Sequence, residues 1–153
     1  MDDGWSRDRF RAAHVARLAT ADGSGRPHVV PIVFVLIGDG LFTVVDLKPK
    51  TAAGGGARLR RLGNIRANPA VSVLVDHYAD DWQRLWWARA DGSARVIDTA
   101  DAEAAEPMHA LTRRYPQYQA EPPPGPMIAI AVQRWSGWAA SDAATPDRDP
   151  RSS

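Results

Sequence analysis

The sequence predicts a mainly β protein, a small antiparallel barrel with peripheral helices. Short runs rich in Val, Ile, Leu and Phe recur along the chain, and most are joined by connections of hairpin length. Turn signals separate several of these runs, Asp22-Gly23-Ser24-Gly25 and Gly38-Asp39-Gly40 among them. Helical patterns are confined to three stretches, which leaves the strands to form most of the core.

The first part of the chain is expected to form one helix and three strands. Ser6 can cap a helix over residues 8–15, because its hydroxyl suits the unpaired N–H groups of a first turn. Pro31 falls inside the second strand and lacks an N–H, which favours an edge, a bend or a bulge there. The three expected strands cover residues 17–21, 28–37 and 41–45.

The rest of the chain alternates strands with two further helices. Residues 52–57 are expected to form a flexible glycine-rich loop, and Pro69 to end the helix that follows it. The helical spacing predicts one face with Leu59, Leu62 and Ile65, and the opposite face with Arg60, Arg61 and Asn64. Pro107 is expected to restrict or kink the last helix, and Asp91-Gly92 to interrupt one or two strands. The expected elements are a helix over 58–68, strands over 70–75 and 82–97, a helix over 101–114, a stiff connector over 121–126 and a strand over 127–132 that ends in Arg134-Trp135.

Composition limits the kinds of protein that this chain can be. The 153 residues suit one domain over 1–141, with a polar, proline-bearing tail over 142–153 that is expected to be disordered. The absence of Cys excludes disulfides, thiolate metal sites and a Cys nucleophile, and the four His show no metal-ligand spacing. No long apolar run or signal-peptide pattern occurs, so a cytoplasmic protein without a membrane segment is expected.

Positive charge is concentrated in one segment. Between Leu47 and Val75 there is no Asp or Glu, whereas the formal charge of the whole chain is only +1. This pattern is typical of an anion site, in which lysines supply point charges and arginines supply forked donors. It is also typical of a solvated loop and a polar helix face, and composition alone does not separate the two. The six basic residues are Lys48, Lys50, Arg58, Arg60, Arg61 and Arg66.

Adjacent aromatic residues mark a second candidate surface. Trp86 and Trp87 fall in one expected strand, so their side chains should emerge on opposite faces of the sheet. The outward ring then needs a ligand, a second subunit or another element to cover it. The alternative is a structural role for both rings, one in the core and one beneath a loop. Because the aromatic residues lie apart from the basic segment, nucleic-acid binding is not expected.

Several short motifs, taken in order, give the chain a resemblance to a known family. The chain resembles the pyridoxamine-5'-phosphate-oxidase-like split-barrel family over residues 8–140, and within it the actinobacterial branch of deazaflavin (coenzyme F420)-dependent enzymes. The motifs are Arg17-Leu18-Ala19-Thr20, Gly25-Arg26-Pro27-His28, Val30-Pro31, Leu41-Phe42-Thr43, Lys48-Pro49-Lys50, Arg61-Leu62-Gly63-Asn64-Ile65, Asn68-Pro69-Ala70-Val71-Ser72-Val73 and Ala88-Arg89-Ala90-Asp91-Gly92.

The resemblance implies a six-stranded antiparallel split β-barrel of the flavin-reductase and FMN-binding type. It also implies a homodimer with two cofactor sites at the interface, each lined by both subunits. Lys48 and Lys50 would hold the cofactor phosphate, Thr51 and Asn64 would add polar contacts, and Arg58 and Arg61 would be secondary anion partners. Val30, Pro31 and Trp87 are the candidates for lining the ring site.

The function that the resemblance implies is hydride transfer between F420 and a small organic acceptor. An FMN-binding oxidoreductase of the same fold and a non-catalytic flavin- or deazaflavin-binding protein are the alternatives. Pyridoxal-phosphate synthesis is not expected, because Val29-Val30-Pro31-Ile32-Val33 replaces the basic motif of the oxidase and Trp87 replaces its Gln. His77 and Tyr78 are candidate proton donors.

Overall fold

The computed structural model describes residues 1–46 and 52–142, and residues 52–59 by their backbone alone. The described chain forms one β-sheet with helices packed around it. The strands are β1 (Ala16–Ala21), β2 (Pro27–Ile32), β3 (Val35–Ile37), β4 (Gly40–Val44), β5 (Ala70–His77), β6 (Trp86–Ile97) and β7 (Met127–Ala139). The helices are α1 (Asp3–Ala12), α2 (Ala52–Ala67), α3 (Ala102–Arg114) and α4 (Gln117–Ala120), with a 3-10 turn at Trp82–Arg84.

The sheet is antiparallel, in the order β2-β1-β5-β6-β7-β4-β3, and it curls into a split barrel. Its two edge strands, β2 and β3, are joined by only Val33 and Phe34. Because two residues span so short a distance, the two edges must approach each other even though no ladder joins them. The predicted fold class is therefore confirmed, and Pro31 lies on an edge strand as expected.

The sheet has seven strands and not the six that the resemblance implies. The expected strand over 28–37 is divided at Val33-Phe34 into β2 and β3. The predicted turns at Asp22–Gly25 and Gly38–Gly40 are confirmed. In the first, Asp22 Oδ1 accepts hydrogen bonds from the backbone N–H groups of Ser24 and Arg26, both at 2.9 Å. In the second, Gly38 has a φ of +60°, which an L side chain rarely adopts.

The interior of the barrel holds the largest apolar side chains. Phe10 of α1 packs edge-on against Phe34 and Trp135, with ring centres 5.9 and 5.2 Å apart. Tyr115, at the end of α3, donates from its hydroxyl to the carbonyl of His14 at 2.9 Å and accepts from the Phe34 N–H at 3.1 Å. These contacts hold α1 and α3 against the β2–β3 link, where the barrel is split. None of the described helices is long and apolar enough to cross a membrane.

The start of the chain differs from the prediction. Helix α1 begins at Asp3, and Asp2 caps it by accepting from the Trp5 N–H at 2.8 Å. Ser6 lies inside the helix and is buried, and its hydroxyl donates to the carbonyl of Ser136 at 3.1 Å. The expected cap at Ser6 was wrong, because an aspartate four residues earlier supplies the capping carboxylate.

Helix α2 is longer and more buried than predicted. It begins at Ala52, so the glycine run over 54–56 belongs to the helix and not to a loop. Leu62 and Ile65 are buried as expected, but Arg61 and Asn64 are also buried, with exposed fractions of 9% and 5%. The expected solvent-facing side was wrong for these two residues, because α2 packs against both β1 and β6.

The last two long strands differ from their predicted limits. β6 begins only at Trp86, because Trp82–Arg84 form a 3-10 turn in place of the start of the strand expected over 82–97. β6 is continuous through Asp91-Gly92, where a β-bulge shifts the register against β7 in place of a break. β7 continues past Trp135 to Ala139 and pairs with the whole of β6. Helix α3 contains Pro107, which is buried, so the predicted helix is present with the proline inside it.

Candidate functional site

A cleft of about 180 Å³ opens where the barrel is split, and we call it the split cleft. Edge strand β2 and the end of β4 form its walls, since β3 pairs only with residues 40–42 and leaves the end of β4 unpaired on this side. Helices α2 and α4 each add one side chain. The lining residues are Pro31, Ile32, Val33, Thr43, Val44, Val45, Asp46, Arg61 and Tyr118.

Two arginines and a histidine lie at or near the split cleft. Arg61 reaches the split cleft from α2 although it is only 9% exposed, and Arg60 precedes it on the exposed side of the helix. His28, on β2, lies close enough to both for their charges to act on it. Burial, followed by repulsion from Arg60 and Arg61, lowers the pKa of His28 below its ordinary value of 6.5. The charges near this end of the split cleft are therefore two guanidinium groups and the carboxylate of Asp46, which also lines it.

The basic segment begins at this cleft. Asp46 lines the split cleft, and α2 begins at Ala52, so residues 47–51 join two points whose positions are described. Lys48, Lys50 and Thr51 lie outside the described residues, as does the side chain of Arg58. Of the predicted cofactor residues, Pro31 and Arg61 are brought together here.

Two other predicted residues lie elsewhere. Asn64 is buried on α2, and its amide nitrogen donates to the Thr20 hydroxyl on β1 at 3.0 Å. Val30 packs against the core from the inner face of β2. Neither residue lines the split cleft. In the described chain Asn64 joins α2 to β1, and Val30 anchors β2 to the core.

A second cleft, of about 320 Å³, lies on the outer face of the sheet, and we call it the sheet cleft. The two adjacent tryptophans separate as predicted: Trp86 packs edge-on against Trp5, with ring centres 6.1 Å apart, and Trp87 lines the sheet cleft. Tyr78 is 63% exposed and also lines it, whereas His77 is not among the lining residues. The lining residues are Leu74, Asp76, Tyr78, Trp87 and Arg89.

The two clefts are connected by one row of side chains across the outer face. Pro31 of the split cleft pairs with Arg17, Arg17 pairs with Leu74, and Leu74 pairs with Arg89 of the sheet cleft. Directly opposed residues in antiparallel strands emerge on the same face. Three strand spacings of about 4.8 Å separate β2 from β6, so Pro31 and Arg89 lie about 14 Å apart along the sheet.

Sequence reasoning missed Arg89, Asp76 and Tyr118. Asp76 and Tyr78 are two residues apart, as are Trp87 and Arg89, and this spacing in a strand indicates a shared face. The sequence therefore indicates that Asp76 and Tyr78 share one face of their strand and that Trp87 and Arg89 share one face of theirs. The register that places Asp76 opposite Trp87 joins two strands and is not visible in the sequence. Among the described residues, no group of three or more His, Asp or Glu is arranged to hold a metal ion.

Comparison with known proteins identifies the family. The sequence profile of the family described as pyridoxamine 5'-phosphate oxidase matches residues 6–139, which include both clefts. The chain belongs to this family. Among curated proteins, none matches the chain. Family membership agrees with the split barrel, since the profile spans β1 to β7.

Solved structures share the fold at low sequence identity. A FAD-binding protein from Mesorhizobium loti is 21% identical, with a TM-score of 0.69 and coverage of 90% of this chain and 94% of that one. The heme storage protein HutZ from Vibrio cholerae is 15% identical, with a TM-score of 0.66 and coverage of 90% and 93%. A FAD-binding protein from Mycobacterium smegmatis is 17% identical, with a TM-score of 0.57 and coverage of 90% and 94%.

Proposed function

We propose that this protein is an F420-dependent oxidoreductase, which transfers a hydride between the deazaflavin and a small organic acceptor. The observation that supports it most is the position of Arg61 in the lining of the split cleft, with Arg60 next to it on α2 and both guanidinium groups acting on His28. An acid-free segment containing two lysines begins at the same cleft. A cofactor with a phosphate and an acidic tail suits this arrangement of charge.

The cofactor phosphate is proposed to lie at the split cleft. Lys48 follows Asp46, which lines the split cleft, by two residues in the sequence. Lys48 and Lys50 supply the principal charges and Thr51 a hydroxyl. Arg58, Arg61 and Asn64 are proposed as secondary partners, and for Asn64 this requires its amide to make a contact beyond Thr20.

The ring of the cofactor is proposed to lie on the outer sheet face. The row from Pro31 to Arg89 leads from the split cleft to Trp87, and Val30 supports β2 from the core side. When bound, F420 supplies the hydride chemistry. The protein binds and orients the ring, excludes water from it, and offers Tyr78 as the candidate group that holds a proton.

A homodimer is proposed to complete the site. The outer face exposes apolar side chains that a lone sheet would leave in water: Val29 is 64% exposed, Tyr78 63% and Trp138 41%. A second subunit that covered this face would shield them and enclose the ring between two chains. The proposed location of the protein is the cytoplasm.

FMN is the second candidate cofactor. Two of the similar structures are FAD-binding proteins, and FMN has the same flavin ring as FAD. Titration of the cofactor-free protein with F420 and with FMN, followed by tryptophan fluorescence, separates the two. F420 is expected to bind more tightly, and the deazaflavin chromophore without its phosphate is expected to bind more weakly than F420. Tighter binding of FMN would reject F420 as the cofactor. Equal binding of the phosphate-free chromophore would reject the phosphate site.

A further inference from the structure

The sheet cleft contains an arginine to which the proposed phosphate site gives no role. Arg89 lies two residues after Trp87 on β6, so both side chains emerge on the outer face. The Arg89 Cζ lies 5.7 Å from the centre of the Trp87 ring, within the range of a cation–π contact. The sheet cleft is therefore lined by a cation beside an aromatic ring.

Arg89 is held in position by a chain of hydrogen bonds. Its Nε donates to the carboxylate of Asp91 at 3.1 Å, and that carboxylate also accepts from the Ser72 hydroxyl at 2.6 Å. Within residues 1–46 and 52–142, no acceptor meets Nη1 or Nη2 of Arg89. Because Nε is engaged and the side chain is still 40% exposed, the terminal fork is oriented in advance and accessible.

Other charged groups on this face set the polarity of the sheet cleft. Arg17 lies opposite Leu74, and Arg134 opposite Asp91. Asp76 lies opposite Trp87 and so diagonally across from Arg89, and no ion pair joins the two in the described chain. One end of the cleft therefore favours an anionic group, whereas the end at Asp76 disfavours a second one.

We propose that the sheet cleft binds the substrate and that this substrate is a planar aromatic or conjugated monocarboxylate. Its carboxylate pairs with the two Nη groups of Arg89, and its flat body lies on Leu74 and Tyr78, next to the cofactor ring that the proposed function places at Trp87. The assignment of this ligand as substrate rests on the proposed function. Recognition of the carboxylate depends only on the sheet cleft.

Calorimetric titration of the 153-residue protein, with and without F420, tests this assignment. The probes are trans-cinnamate and its neutral isostere trans-cinnamamide. Cinnamate is expected to bind at least about tenfold more tightly, since a charge-assisted pair to an arginine is stronger than a neutral one. Arg89→Gln should remove this preference, and Arg89→Lys should keep only part of it. Arg95→Gln is the matched control on β6, away from the cleft, and should keep all of it.

The outcomes separate this inference from the proposed function. Equal affinity for the two probes, or no binding of cinnamate because a second copy fills the cleft, would overturn the inference. The inference would also be overturned if Arg89→Gln still preferred cinnamate to cinnamamide, or if that variant no longer bound F420. If the wild-type protein prefers cinnamate but does not bind F420, the proposed cofactor fails while carboxylate recognition stands.

Discussion

Replacing Lys48 and Lys50 together by alanine is expected to weaken F420 binding by about 100-fold or more. Each lysine is proposed to make a charge-assisted contact to the phosphate, and such contacts contribute roughly 1.5–3 kcal/mol apiece. The fold should be unaffected, because residues 47–51 follow the end of β4 and precede α2. Fluorescence titration measures the affinity, and circular dichroism with thermal unfolding checks the fold.

A second pair of cations provides the control for the lysine variant. Arg84 and Arg113 are both exposed and line neither the split cleft nor the sheet cleft. Their double replacement by alanine removes the same formal charge and should leave F420 affinity within about twofold. Sedimentation velocity on both variants checks that neither changes the oligomeric state. Normal F420 binding by the lysine variant would show that the phosphate lies elsewhere.

Gly92→Ala is expected to lower the free energy of unfolding by about 3 kcal/mol or more. Gly92 lies on β6 opposite the bulge, where Gln133 is the extra residue of β7, and a Cβ placed on Gly92 would lie 2.2 Å from the carbonyl oxygen of Ala131 and 3.1 Å from the Cα of Val132. Both contacts are with the backbone of β7, so relief requires two paired strands to move apart. Urea unfolding at a fixed protein concentration measures the change.

Gly63→Ala is the matched control for this substitution. Gly63 lies in the interior of α2 and is exposed, and a Cβ added there meets nothing within 4 Å. Alanine is the better helix former by up to about 1 kcal/mol, so this variant should be as stable as the wild type or more so. A wild-type stability for Gly92→Ala would mean that the bulge does not hold β6 and β7 at the separation described.

Much of the fold could be predicted from the sequence because its signals are local. The glycine turns at 22–25 and 38–40 and the pairs of apolar runs around them specify hairpins without any knowledge of the rest. Longer-range effects defeated the same reasoning. Asp2 caps α1 from outside the expected helix, and the glycine run over 54–56 is helical despite its weak propensity.

The candidate site was harder to predict because it is assembled from distant strands. The clustering of charge after Asp46 indicated an anion site, and Pro31 and Arg61 do meet at the split cleft. Arg89 gave no such signal, since its role depends on Ser72 of β5 and on Asp91 at the bulge. The prediction for Asn64 was wrong because it assumed that α2 buries only one face. The helix packs against both β1 and β6, and the Asn64 amide donates to Thr20 on β1.

Oxidation of reduced F420 by the purified protein tests the central claim most directly. Stopped-flow absorbance would follow the reduced cofactor with a panel of quinone, enone, tetrapyrrole and conjugated carboxylate acceptors. An F420-dependent oxidoreductase should oxidise reduced F420 in the presence of at least one acceptor, and the Lys48→Ala, Lys50→Ala variant should do so far more slowly at the same cofactor concentration. Tight binding of F420 without hydride transfer to any acceptor would contradict the claim and indicate a binding protein.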